Sequence, residues 1–110
     1  MVVEKELSFK SNKIKLEGNL CLPDNNKPKA VVLLLPGSGP VDRDENVKNG
    51  INKFISNNLK TIAYQLAKHK IASFRYDKRG VNKTKKLDKD VGFNDILNDA
   101  RNAVKFLKKL

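Results

Sequence analysis

The chain has 110 residues, a length that suits one small domain with a thin core. Hydrophobic residues make up 39% and charged residues 32%, which excludes a disordered chain. The longest apolar run, Ala30 to Leu35, is far below the roughly 20 residues of a membrane-crossing helix.

Lysine and arginine number 23 against 12 acidic residues, a formal charge of +11 that could attract nucleic acid or acidic surfaces. The lysines are spread along the chain, however, and only Lys83 to Lys89, KTKKLDK, forms a cluster. There is almost no arginine or aromatic interleaving of the kind that stacks bases or forks onto guanine, so nucleic-acid binding is not the expected role. The N-terminal MVVEKELSFK lacks a positive start followed by an apolar core, and the cytoplasm is the expected location.

Val3 to Phe9 and Lys13 to Leu22 alternate apolar and polar residues, as half-buried strands do, and with Ser11 and Asn12 between them they read as an antiparallel hairpin. Cys21, the single cysteine, allows no intramolecular disulfide and is expected as a small buried hydrophobe. Pro23 to Pro28 is a turn or loop by its proline and asparagine content. Ala30 to Leu35, AVVLLL, is continuously apolar and ends at Pro36 and Gly37, the pattern of a parallel strand covered on both faces.

Asn58 to His69 carries Leu59, Ile62, Ala63 and Leu66 at helical spacing, and Ile71 to Tyr76, IASFRY, follows as a strand. The spacing predicts a strand, crossover helix, strand unit of right-handed sense. Phe93 to Leu110 places Phe93, Ile96, Leu97, Ala100, Val104 and Leu107 on one stripe, with Lys105, Lys108 and Lys109 where the helix dipole favours cations. No internal repeat occurs, and the expected fold class is α/β.

The stretch LLLPGSGPVDRDEN, Leu33 to Asn46, is the first candidate site. A glycine-rich turn after a buried parallel strand presents backbone N–H groups at the carboxyl edge of a sheet, where open α/β sheets bind ligands. A phosphate loop needs a lysine followed by Ser or Thr, and Pro40, Val41 and Asp42 supply neither. A dinucleotide turn needs a third glycine opening a helix, whereas here acidic DRDE follows and would repel a pyrophosphate. The remaining reading is an oxyanion loop for acyl transfer.

The order hairpin, buried strand, PGSGPVDRDEN, helix, IASFRYDKRGVNKT, helix resembles the N-terminal half of bacterial α/β-hydrolases of the esterase and dienelactone-hydrolase-like group. The resemblance runs from about Glu4 to Leu110 and implies a single incomplete domain, residues 1–110, with a partial α/β-hydrolase fold. It implies that the N–H of Ser38 helps hold an oxyanion while Gly37 and Gly39 permit the tight turn. Asp42, Arg43, Asp44 and Asn46 match the polar loop beside it, and Asp77, Arg79 and Gly80 match a loop that organises structure near the site. Pro36 stands where the family has His, Asn82 replaces a glycine and Thr84 a serine. The family's nucleophile stands in G-x-S-x-G, which does not occur here, so the resemblance implies that serine, acid and histidine lie beyond Leu110 and that the chain alone is inactive.

The residues present offer no substitute triad. His69, the one histidine, ends a helix and reads as a surface residue, and Cys21 belongs to a strand expected in another part of the sheet. Asp42 and Asp44 could bind a divalent cation, but salt bridges with Arg43 or Arg79 are the expectation, so neither metal nor organic cofactor is implied. In the family's strand order the Ala30 to Leu35 strand would keep one unpaired edge, open to self-association or to a complementing C-terminal half. A small basic binding module, for an anion, a carbonyl ligand or nucleic acid, is the alternative.

Overall fold

The computed structural model describes residues 2–25, 27–37, 41–47, 55–79, 81 and 92–110. Its elements, in chain order, are β1 (Val3–Ser11), β2 (Ile14–Leu22), β3 (Ala30–Leu34), α1 (Asn58–Lys68), β4 (Ile71–Tyr76) and α2 (Phe93–Lys108). The four strands form one mixed sheet in the order β1-β2-β4-β3. β1 and β2 pair antiparallel through the expected hairpin, β2 pairs antiparallel with β4, and β3 pairs parallel with β4. The hairpin turns at Asn12, whose φ of 57° is the left-handed conformation that asparagine tolerates better than most side chains.

Strand alternation divides the interior in two. On one face Phe9, Leu16, Leu20, Leu22, Ala72, Phe74 and Tyr76 are buried together with Ala103 of α2. Phe9 meets Tyr76 edge-on at 5.2 Å between ring centroids and stacks on Phe106 of α2 at 5.5 Å, geometries that add to area burial. Each fully buried large apolar side chain here contributes about 2 kcal/mol relative to exposure. Gly18 makes this aromatic layer possible. A Cβ there would lie 2.6 Å from both the Arg75 carbonyl oxygen and the Phe74 ring.

The other face is thinner. Cys21, Ala63 and Ala67 are buried against α1, and the Cys21 thiol donates to the Ala63 carbonyl at 3.7 Å. Burial pushes that thiol up in pKa, so Cys21 is the small buried hydrophobe expected of it. His69 caps the C-terminus of α1 as an exposed side chain.

One expectation needs correction, and both helices bury only part of their apolar residues. β3 is not a fully covered strand: Ala30 and Val31 are exposed and Val32 to Leu34 only half-buried, because β4 is its single neighbour among the described residues. The apolar stripe of α2 is covered only in part, with Leu107 packed against the core. Its buried residues are Asp99 and Ala103, whereas Phe93 is 78% exposed and Ile96, Leu97 and Val104 are also exposed. On α1 the buried positions are Leu59, Ala63 and Ala67, and Ile62 faces out.

Candidate functional site

The segment that follows β3 is held by charges from the far end of β4. Asp42, 3% exposed, folds the loop on itself: its Oδ1 accepts the backbone N–H of Asp44 and of Asn46, both at 2.9 Å. Arg43 then locks to the fully buried Asp77, whose Oδ1 accepts the Arg43 backbone N–H at 2.7 Å and whose Oδ2 accepts the guanidinium at 2.8 Å. Burial works most strongly against the Arg43 charge, but the bond to Asp77 and the charges of Asp77, Glu6 and Asp44 together raise its pKa.

Arg75 is the centre of a second group. Its side chain is 1% exposed; Nε donates to Asp44 at 2.8 Å and a terminal nitrogen donates to Glu4 at 2.6 Å. Tyr64 of α1 donates its hydroxyl to the other Glu4 oxygen at 2.7 Å, and Asn19 donates to Glu4 while accepting from Arg43. Burial alone would raise the pKa of Glu4, yet the bonds from Tyr64, Arg75 and Asn19 together lower it. β1, β2, β4, α1 and the loop are thereby joined through one ionic network.

Asn46 ties the loop to the start of α1. Its side-chain carbonyl accepts the N–H groups of Ser56 and Asn57, and its amide donates to Asn57 Oδ1, all at 2.7 Å. Asn57 occupies the helix N-cap with a φ of 53°. The helix therefore starts where Asn46 and the left-handed Asn57 permit it.

At the turn itself the Gly37 N–H donates to Glu45 Oε1 at 3.0 Å, and the Lys78 ammonium donates to the Gly37 carbonyl. Burial lowers the pKa of Lys78, while the Glu45 charge opposes that shift. The backbone at Gly37 is thus gripped from both sides. Ser38, Gly39 and Gly80, with Pro40, Asn82, Thr84 and the Lys83 to Lys89 cluster, lie outside the described residues.

Arg79 does not join this cluster. It forks onto Asp99 of α2 at 2.8 and 2.6 Å, and Asp99 also accepts from Ser11 at 2.5 Å. The expected pairing of Asp42 or Asp44 with Arg43 or Arg79 is therefore replaced: Asp44 meets Arg75, Arg43 meets Asp77, and Arg79 meets Asp99. Both Asp42 and Asp44 are engaged in this way. Among the described residues no group of three or more His, Cys, Asp or Glu could hold a metal ion.

Sequence reasoning missed Glu4, Asn19, Glu45, Arg75, Lys78 and Asp99. Two of them had a signal. Arg75 is a charge within the apolar IASFRY strand, and Asp99 interrupts the apolar residues of the last helix.

No protein-family model matches the chain. It is 38% identical over 95 residues to esterase EstD of Thermotoga maritima, a match that takes in 86% of this chain and 21% of that protein. The fold superposes on Est1E of Butyrivibrio proteoclasticus, solved with ferulic acid, at a TM-score of 0.71 and 20% identity, covering 94% of this chain and 37% of that one. An α/β-hydrolase from Penicillium, GrgF, gives 0.71 at 18% identity, with coverages of 96% and 32%. A cold-adapted esterase from an Arctic intertidal metagenomic library gives 0.70 at 17%, with coverages of 98% and 45%. The chain thus spans less than half of each of these four proteins. These relatives are esterases and hydrolases, which lends no support to the alternative of a small basic binding module. The superpositions on these hydrolases, with the match to an esterase beside them, show that the chain has part of an α/β-hydrolase fold.

Proposed function

We propose that this chain supplies the oxyanion-turn half of a serine ester hydrolase and forms one incomplete domain of it. The observation that carries the proposal is the doubly held Gly37, at the carboxyl end of a parallel strand and beside a loop fixed by Asp42, Arg43 and Asp77. Backbone amides held in this way reorganise little as charge develops on a carbonyl oxygen.

In the complete reaction a serine attacks the ester carbonyl with histidine as base, giving an acyl-enzyme that water then releases. The amide of Ser38 and one next to the nucleophile would receive the oxyanion. Asp44, Asn46, Asp77 and Arg79 act as positioning residues, through Arg75, the start of α1, Arg43 and α2 respectively. The chemistry calls for no metal or organic cofactor.

A G-x-S-x-G sequence is absent from the 110 residues, so the purified chain is expected to leave 4-nitrophenyl butyrate unhydrolysed and to remain unlabelled by a fluorophosphonate. Saturable hydrolysis together with phosphonylation of one serine would overturn the proposal. A cytoplasmic location belongs to the same reading. No helix among the described residues is long and apolar enough to cross a membrane, and cell fractionation tests the location directly.

A further inference from the structure

Glycine has the freest backbone of any residue, yet both peptide groups that flank Gly37 are held by charged side chains. Its N–H belongs to the peptide shared with Pro36 and donates to the Glu45 carboxylate at 3.0 Å; its carbonyl belongs to the peptide shared with Ser38 and accepts from the Lys78 ammonium. Gly37 is exposed, so water alone would satisfy these groups and neither charge is needed for that purpose.

Each grip is itself anchored. Glu45 takes a left-handed φ of 70°, a conformation that strains most side chains. It is fixed there by its own N–H on the Asp42 carbonyl at 3.0 Å and by the Ser56 hydroxyl on its carbonyl at 2.6 Å. Lys78 stands on an equally fixed stem: the N–H of its neighbour Asp77 donates to the Glu17 carbonyl at 2.9 Å, and the Lys78 carbonyl accepts the Val81 N–H at 3.0 Å. A Cβ at residue 37 would lie 2.9 Å from the Glu45 carboxylate, so glycine is what lets the carboxylate come this close.

We infer that Lys78 is a positioning residue for the oxyanion: its ammonium, acting through the Gly37 carbonyl, aims and polarises the N–H that Ser38 presents. The carbonyl and the N–H of one trans peptide are coplanar and point in opposite directions, so a cation that fixes the first fixes the direction of the second. Electron density drawn through the amide toward the ammonium leaves that N–H a stronger donor, as along any chain of hydrogen bonds. Glu45 has two effects: it fixes the preceding peptide, and its charge favours protonated Lys78 against burial. The inference rests on reading Gly37 and Ser38 as the oxyanion turn, and its test involves no hydrolysis.

The first measurement is hydrogen exchange of the Ser38 N–H with water, by NMR, in the wild-type chain, Lys78→Met and Lys78→Arg. Base-catalysed exchange removes the amide proton, so a cation behind the peptide speeds it. Lys78→Met is expected to slow it about fourfold, the effect of a unit charge at about 5 Å in water, and Lys78→Arg to stay within about twofold of the wild type. A merely structural tie predicts the reverse for Lys78→Met, because a loosened turn exchanges faster. The second measurement follows the Gly37 carbonyl carbon in carbon-detected spectra as pH is raised. It is expected to shift in one step at the Lys78 midpoint, which burial holds below the ordinary lysine value of 10.5, and the step should be absent from both variants.

Faster or unchanged Ser38 exchange in Lys78→Met, or a Gly37 carbonyl that does not follow Lys78, would overturn the inference and leave the half-hydrolase reading standing. Ester hydrolysis by the chain alone, the outcome that overturns that reading, enters neither measurement, so the two failures are told apart.

Discussion

Arg75 shows how a single residue sets the character of the interior. Its guanidinium is deeply buried between Glu4 and Asp44, and such a group is stable only while both carboxylates remain ionised. Glu4 has a folded-state pKa below its unfolded value, so its contribution is fully present above the unfolded value and is lost as pH falls through the folded one. Stability measured in urea is therefore expected to fall as pH drops below the unfolded value of 4.5, and Glu4→Gln should flatten that part of the profile. Gly18 makes a different demand. With backbone and ring atoms 2.6 Å from where a Cβ would stand, Gly18→Ala is expected to cost about 1–3 kcal/mol, read as a lower urea midpoint. Neither result was fully legible in the sequence. Gly18 sits in an alternating strand like any other residue, and nothing in KIKLEGNLCL tells which rings of β4 will cross it.

At the scale of elements, the hairpin, both helices and the strand after α1 followed from periodicity and turn chemistry, and their observed bounds depart by few residues. Which face each helix buries did not follow. α2 packs through Ala103, Phe106 and Leu107, and Asp99 lies inside because Arg79 and Ser11 both bond to it. Within the apolar stripe Leu107 packs against the core, while Phe93, Ile96, Leu97 and Val104 stay exposed. Its width reflects surface that this sheet does not cover.

The Arg79–Asp99–Ser11 cluster should then be the main polar tie between α2 and the sheet. Asp99→Asn is expected to destabilise by about 3 kcal/mol, since the buried Arg79 loses its two short bonds and keeps only the 3.9 Å ion pair with Asp95, and Ser11→Ala by about 1 kcal/mol. The double variant should fall short of the sum, as expected for residues in direct contact, and thermal unfolding of all four proteins gives the coupling.

Seen whole, the molecule measures 42 × 32 × 19 Å and carries a formal charge of +11. At about 0.01 M salt the screening length is about 30 Å, so most of its lysines repel one another; at about 0.15 M it is about 8 Å and only neighbours do. The melting temperature is therefore expected to rise as sodium chloride is added, in contrast to a protein stabilised mainly by surface ion pairs. A flat or falling dependence would show that attraction within the Arg75 and Arg79 networks outweighs the net repulsion. The α/β-hydrolase fold was legible at this scale because two motifs occur in the right order around a short apolar strand. The ionic network that shapes the turn was not, because its partners come from positions far apart in the chain.

That separation bears on how the turn is made during synthesis. Arg43 and Asp44 reach their partners 34 and 31 residues later, at Asp77 and Arg75. As the nascent chain emerges, the DRDEN loop leaves the ribosome well before the groups that fix it. The turn takes its final shape only when β4 arrives, and a nascent chain stalled short of residue 75 should show the Arg43 amide unprotected.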